Sequence, residues 1–520
     1  MGHTNVNLPF PAMHSATPRL RRLPWVFALT AATVWLSGCA IHPKPFSNAE
    51  REQMAASERA DLFNQQDPVR GPITLDEAMA RAIRYNLDNR QKMMEEALSQ
   101  RQLDLANFDL LPSLTAAAGY TSRNNELASR SVLLNNPSLT TVPPSYSSDK
   151  DMHTADLGFS WNVLDFGVSY FEAKEQADRV LVLQQRRRKV VQLLMQQVRE
   201  AYWQAAGAER INGRIGPLLK AAQDALDDSK RAQQAQLASP LDTLNYQHEL
   251  LDIMRQLELV RDQLEEAKPR LASLMNLDPG MEFTLAPPAG FDEPHFDMPI
   301  TQMEATALER RPELLEAGYN ERISVNETHK ALAKLLPGIE LQLGEHYDSN
   351  SFLAFHTWRD AGLSVSWNLL NVLNVKNIRG EAKDQLEVAR IQREALAMAV
   401  LTQVHVATTD LAAKRRQFEL LKQMNDVDQQ ILEHTRNAAN ANAIGKLNEI
   451  RAAAGAMMTE LRLYESYGEL ESAYGQLLAT LGLDPVPNTV QSHDLSTLEQ
   501  AIAQEQRRWD SLGEGDENKL

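Results

Sequence analysis

The chain has 520 residues, a formal net charge of -16 and only 6% aromatic residues. Its length fits two or more domains or one elongated one, and long stretches of Ala, Gln, Glu, Leu and Arg suit long helices better than a thick globular core. The acidic balance excludes a nucleic-acid binder, because nothing concentrates enough Lys and Arg to neutralise a phosphate backbone; the one basic run, Arg186-Arg187-Arg188-Lys189, reads as a solvated helix face.

At the amino terminus, Arg19, Arg21 and Arg22 precede the apolar run LPWVFALTAATVWL, which has the charge order of a secretory signal and is short for a membrane span. It ends in Leu36-Ser37-Gly38-Cys39. Cys39 is the only cysteine, so no disulfide and no thiolate metal site is available. The sequence LSGC resembles the lipobox of bacterial lipoproteins, which implies removal of residues 1–38 and acylation of Cys39, with palmitate among the chains; Ala40 in place of Asp implies the outer membrane. Residues 39–72 read as an extended segment, and 488–520, with the ending EGDEN, as a polar tail.

Between these ends the chain reads as two repeats, 73–299 and 300–487. Trp367 follows Trp161 by 206 residues, and the same offset carries MNLDP (275–279) onto LGLDP (481–485) and SPLDTL (239–244) onto GKLNEI (445–450). Upstream, an offset of 225 sets Pro112 on Pro337, and ITLDEAMARAI (73–83) matches ITQMEATALER (300–310). Ordered landmarks of this kind indicate a duplicated unit, with an insertion between Pro112 and Trp161.

Each repeat holds two alternating stretches: 113–121 and 156–163 in the first, 339–347 and 362–369 in the second. Leu157, Phe159, Trp161 and Val163 alternate with Asp156, Gly158, Ser160 and Asn162; Leu363, Val365, Trp367 and Leu369 alternate with Gly362, Ser364, Ser366 and Asn368. Four strands of this length would each cross a bilayer when tilted. The connections 123–151 and 348–360 are rich in Asn, Ser and Pro and read as exposed loops. The rest is helical in pattern. About 67 residues run from 170 to 236, about 36 return from 241, and about 34 more lead from 302 to the third strand; the second repeat follows suit, with about 37 residues from 74 to 110 completing its return. Pro217, after Gly216, predicts a kink or a split in the first long helix.

Four strands cannot close a barrel. Three copies would supply about twelve and enclose an aqueous lumen, and unpaired edges in lipid make such assembly obligatory. The apolar faces would then meet lipid, while Asp156, Ser160, Asn162, Glu340, His346, Ser364 and Ser366 would line water. Trp161 and Trp367, with Tyr120 and Tyr347 at the opposite rim, would form the aromatic belts of the membrane interface.

The lipobox, the opening TLDEAMARAIRYN, the Leu-Pro strand entries, the W-N-(V/L)-L strand exits and the paired LDP endings resemble the TolC family of outer-membrane efflux proteins, in its lipoprotein (NodT-like) branch. Members often place Pro after the strand-exit aromatic, where this chain has Asn162 and Asn368. The resemblance covers roughly residues 70 to 487. It implies a mainly α fold with a small transmembrane β-barrel: a homotrimer whose twelve-stranded barrel stands on a long periplasmic helical barrel. It also implies a passive exit duct of a tripartite efflux pump or type I secretion system, docking through a periplasmic adaptor onto an inner-membrane pump of the RND or ABC type. On that resemblance the adaptor-contacting tips are Ser239 and Pro240 in one hairpin and Gly445 and Lys446 in the other, with Asp242 and Glu449 as candidate gate carboxylates. No metal, cofactor or nucleic-acid partner is expected; the one attached group is the lipid on Cys39.

The motifs HExxH, CxxC, GxSxG and the phosphate loop are all missing from the sequence, so an enzyme is not expected. The alternative to an exit duct is a lipoprotein scaffold that spans the periplasm without a pore.

Overall fold

The computed structural model describes residues 43–64, 66–130, 143–235, 239–288, 290–441, 445–486 and 494–510. The signal segment and Cys39 lie outside these residues, as do parts of the first long loop and of both helix turns. Contacts divide the chain after Asn64 into two units. In the first, residues expected to be extended form helix α1 (Asn48–Phe63), started by a capping box in which Ser47 Oγ accepts from the Glu50 amide and the Glu50 carboxylate accepts from that of Ser47. None of its residues is buried.

The second unit runs α2 (Leu75–Tyr85), α3 (Leu87–Phe108), β1 (Ser113–Ser122), a two-residue ladder β2 (Ala128–Ser129) and β3 (Ser145–Tyr146), and β4 (Asp151–Asn162). It continues with α4 (Val163–Gln234), α5 (Pro240–Leu274), α6 (Ile300–Arg310), α7 (Pro312–Ala333), β5 (Gly338–Asp348) and β6 (Thr357–Ser366). A 3₁₀ turn (Leu369–Asn374), α8 (Val375–Asn440), α9 (Lys446–Thr480) and α10 (Leu495–Asp510) complete it. The helices answer each other in length: α5 and α9 have 35 residues, α3 and α7 have 22, and α2 and α6 have 11. At 1.5 Å per residue the 72-residue α4 and the 66-residue α8 are about 110 and 100 Å long.

Local chemistry accounts for the boundaries. Asn162 Oδ1 accepts from the Leu164 amide at 2.9 Å, and Asn368 Oδ1, 206 residues on, accepts from the Leu370 amide at 3.2 Å. The Asn of each Trp-Asn pair therefore caps the helical turn that follows its strand, which is why Val163 and Leu369 leave the strands assigned to them by alternation. At the far end, α5 and α9 both stop on a residue with positive φ: 57° at Asn276 and 73° at Gly482. The Leu277 amide donates to Ala272 O at 2.8 Å and the Leu483 amide to Leu478 O at 3.0 Å, the six-to-one bond of a Schellman cap in each case.

Two returning helices expected to be continuous are broken. Asn86, with ψ 129°, ends α2 and caps α3 through the Asp88 and Asn89 amides. Arg311, with ψ 128°, is pushed out of the helical region by Pro312. Pro217, in contrast, lies within α4 without splitting it. Residues 495–510, expected as tail, form α10, which packs on α2 through buried Leu498, Ile502 and Trp509; Asp494 Oδ1 accepts from the Thr497 amide at 2.9 Å to start it.

The core lies where α2, α4, α9 and the Pro-rich linker after α5 meet. Ile73 bridges Leu285, donating to Thr284 O and accepting from the Ala286 amide. Trp203, Phe291, Phe418 and Tyr467 form one ring cluster, with Trp203 and Tyr467 edge to face at 4.5 Å. The linker's carbonyls are satisfied by side chains: Tyr467 Oη donates to Asp292 O, Arg415 to Pro294 O and Lys268 to Phe283 O. Arg199 and Glu471, almost fully buried, pair at 2.7 Å across α4 and α9. The basic run is not a free solvated face: Arg186 pairs with Glu316, Arg187 with Glu96, Arg188 with Asp484 and Lys189 with Glu313, tying α4 to α7, α3 and the loop after α9.

Candidate functional site

The four long strands form one antiparallel sheet in the order β1-β4-β5-β6. Its register assigns the faces, because directly paired residues point the same way. Leu114↔Phe159, Ala116↔Leu157, Trp161↔Leu341, Leu341↔Leu363 and Ile339↔Val365 share one face. Ser113↔Ser160, Asp156↔His346, Ser160↔Gln342, Asn162↔Glu340, Glu340↔Ser364 and Gly338↔Ser366 share the other. All seven side chains expected to line water thus fall on a single face. The apolar face is open in the chain, with Leu114, Leu363 and Val365 each about two thirds exposed. Neither the free edge of β1 nor that of β6 pairs with another strand among the described residues.

The strands extend further than apolar alternation indicates. β4 begins at Asp151 and β6 at Thr357, in stretches read as loop. One ion pair interrupts the apolar face: Glu345 opposite Arg359, at 3.0 Å and close to the outer end. Trp358 sits on the polar face, stacked on His346. The connections beyond are interlocked, since Asn350 accepts from the Asp149 amide and donates to Ser147 O, and Ser351 donates to the Asp149 carboxylate.

Of the residues expected to form the belts, Trp161 is next to last in β4 on the apolar face, edge to face with Phe166, and Trp367 lies one residue past β6, donating from Nε1 to Leu335 O at 3.0 Å. Tyr120 and Tyr347 lie on the same face at the other end, near the loops; Tyr120 stacks on His153 and donates to Asp151. The structure thus puts a Trp pair at one margin of the sheet and a Tyr pair at the other.

At the opposite pole of α4 and α8, the turns 236–238 and 442–444 lie outside the described residues. Ser239 and Pro240 open α5, with Pro240 at the first helical position, and Gly445 and Lys446 open α9; all four are exposed. The two gate candidates differ. Asp242 is exposed and lines a groove of about 710 Å³ with Asp224, Asp228 and Lys446. Glu449 is half-buried and accepts from Lys446 at 2.8 Å, so part of its charge is already compensated. Arg451 of α9 pairs with Glu249 of α5 and joins the hairpins near these ends. Among the described residues, no group of His, Cys, Asp and Glu is arranged to hold a metal ion.

Residues 79–277 match the protein family described as outer membrane efflux protein. No curated protein matches the chain. Among solved structures, the outer membrane channel CmeC of Campylobacter jejuni superposes with a TM-score of 0.62 at 13% identity, over 90% of this chain and 97% of that one. The outer membrane protein VceC of Vibrio cholerae gives 0.57 at 14%, over 78% and 96%. The open state of the MtrE outer membrane channel of Neisseria gonorrhoeae gives 0.55 at 17%, over 79% and 89%. At such identities the likeness is one of fold. Residues 79–277 thus match the family of outer membrane efflux proteins, and the likeness of fold to these channels runs over most of the chain.

Proposed function

We propose that three copies of the chain form an outer-membrane exit duct, a passive conduit for substrates delivered by an inner-membrane pump through a periplasmic adaptor. The observation that carries this reading is the four-stranded sheet, apolar on one face and polar on the other, with both edges unpaired among the described residues. In hydrocarbon each open edge leaves backbone donors and acceptors unsatisfied, at several kcal/mol apiece, so β1 of one copy would pair with β6 of the next. Twelve strands would then enclose water, with the polar face inward.

The helices support the same assembly. Exposed apolar residues recur along α8 at Ile391, Met398, Val406, Leu420, Met424 and Val427. A neighbouring copy would cover them, extending the wall downward as a helical barrel. The matched helix lengths, the Asn caps at 162 and 368 and the Schellman caps at 276 and 482 support a duplicated unit as its origin. The proposal includes a lipid on Cys39 that anchors the duct to the outer membrane, and adaptor docking at the Ser239-Pro240 and Gly445-Lys446 ends. It also keeps Asp242 and Glu449 as gate carboxylates.

Conductance of the purified protein in a planar bilayer, read beside heat-modifiable trimers on a gel, tests the duct. A monomeric and electrically silent preparation would refute it. Loss of palmitate labelling in Cys39→Ser tests the anchor.

A further inference from the structure

On the polar face of the sheet one constellation is assembled from three strands. The His346 ring of β5 lies between two carboxylates: Nδ1 is 2.6 Å from Asp156 of β4, and Nε2 is 3.4 Å from Asp360 of β6. Trp358 stacks on the ring at 5.2 Å with the planes 18° apart. Gly344 makes room, since a Cβ there would collide with both the His346 ring and the Asp360 carboxylate. Gly158 lies opposite Gly344 in the register, so the floor beneath the cluster is bare backbone. The carboxylates stay accessible: Asp156 is 45% and Asp360 63% exposed, against 26% for His346.

We infer that Asp156, His346 and Asp360 determine the ion preference of the barrel and make it pH-dependent, a role that rests on the duct reading above. With the ring neutral the cluster carries two negative charges; with the ring protonated it carries one. Imidazole is the side chain that takes up its proton on going from alkaline to mildly acidic conditions, so the cluster's negative charge shrinks over that change. Repeated by threefold symmetry, it forms a ring whose attraction for cations is stronger when His346 is neutral. The other titratable groups on this face are Asp348, two residues from His346 on β5, and Glu340 near the helix end of the sheet, which accepts from Ser160 and Gln342. On β1, the residues across from this part of β4 are Ala117 and Gly119, which bring no charge. Arg359 and Glu345 point to the opposite face.

The test is the reversal potential of the full-length protein in planar bilayers under a KCl gradient, at pH 5 and pH 8. In the wild type the potassium-to-chloride permeability ratio is expected to be about twofold or more higher at pH 8. His346→Gln should abolish the difference between the two pH values and hold the ratio near its alkaline limit. Asp360→Asn, at the more exposed carboxylate, should lower the ratio at both; Asp348→Asn should leave the pH response in place. Heat-modifiable trimers check that each variant assembles. Conducting pores in which His346→Gln keeps the wild-type pH response, or Asp360→Asn keeps the wild-type ratio, would overturn the inference while leaving the duct intact. A wild type that conducts nothing would instead overturn the duct.

Discussion

Changing Gly482 to Ala should loosen the end of α9 far more than changing Asn276 to Gly loosens the end of α5. Both residues occupy the left-handed region and close the same cap, yet their surroundings differ. A Cβ at Gly482 would sit 2.6 Å from both the carbonyl carbon and the oxygen of Arg310, too close for any real contact, and backbone cannot swing aside as a side chain can. Arg188 fixes that backbone further, donating to Gly482 O and Arg310 O while paired with Asp484 at 2.8 Å. The left-handed conformation costs an Ala about 1 kcal/mol relative to Gly, and forced overpacking adds about 1–3 kcal/mol, for a total of about 2–4 kcal/mol. Hydrogen exchange of the 474–486 amides should therefore quicken by about 30-fold to 1000-fold in Gly482→Ala. Asn276→Gly should change exchange over 268–280 by less than about threefold, because αL already suits either residue. Equal and small effects at the two sites would show that the Arg310 contact does not constrain the cap.

Three further outcomes follow from the geometry. Asn368→Ala removes the oxygen that accepts from the Leu370 amide and should cost about 1 kcal/mol, read as faster exchange confined to the turn at 369–374; Asn368→Asp should retain most of the protection. Glu471→Gln leaves Arg199 buried without its charge partner and should lower stability by about 3–5 kcal/mol, towards the lower end because Asp76 lies near the same guanidinium. Arg199→Met combined with Glu471→Met should recover most of that loss in the unfolding temperature; an unchanged single variant would refute the pairing. The Glu293 carboxyl is held above the usual carboxylate range, chiefly by a hydrogen bond to the neighbouring Glu419 carboxyl. A raised folded value means that the stabilisation is present at low pH and is lost as pH rises through that value, so Glu419→Gln should stabilise the protein at pH 7 and lose its advantage near pH 4.

The strands were legible because each alternates apolar and polar residues, and the register then placed every expected lumen residue on one face. Their far ends were not, since Asp151, His153 and Arg359 put polar groups on the apolar face and Trp358 puts a ring on the polar one. The helix breaks at Asn86 and Arg311 carried readable signals, an Asn able to cap and a residue ahead of Pro312, but hydrophobic periodicity runs through both and hides them. Helix α10 was missed for a related reason: only Leu498, Ile502 and Trp509 of a polar segment are buried there, and composition cannot distinguish that stripe from a tail. The partners of the basic run Arg186 to Lys189 lie on two other helices and in the loop after α9, so no local pattern could have announced them. The capping role of Asn162 and Asn368 was written in the sequence, and alternation masked it by drawing both residues into the strands.

The open margins of the sheet bear on inheritance. If every duct is stitched from three chains along β1 and β6, a chain damaged only at one of those margins still enters assemblies and spoils them. In a cell making equal amounts of sound and damaged chains, only about one duct in eight would be free of the lesion. Such an allele should behave as dominant, whereas a deletion of the whole gene should be recessive.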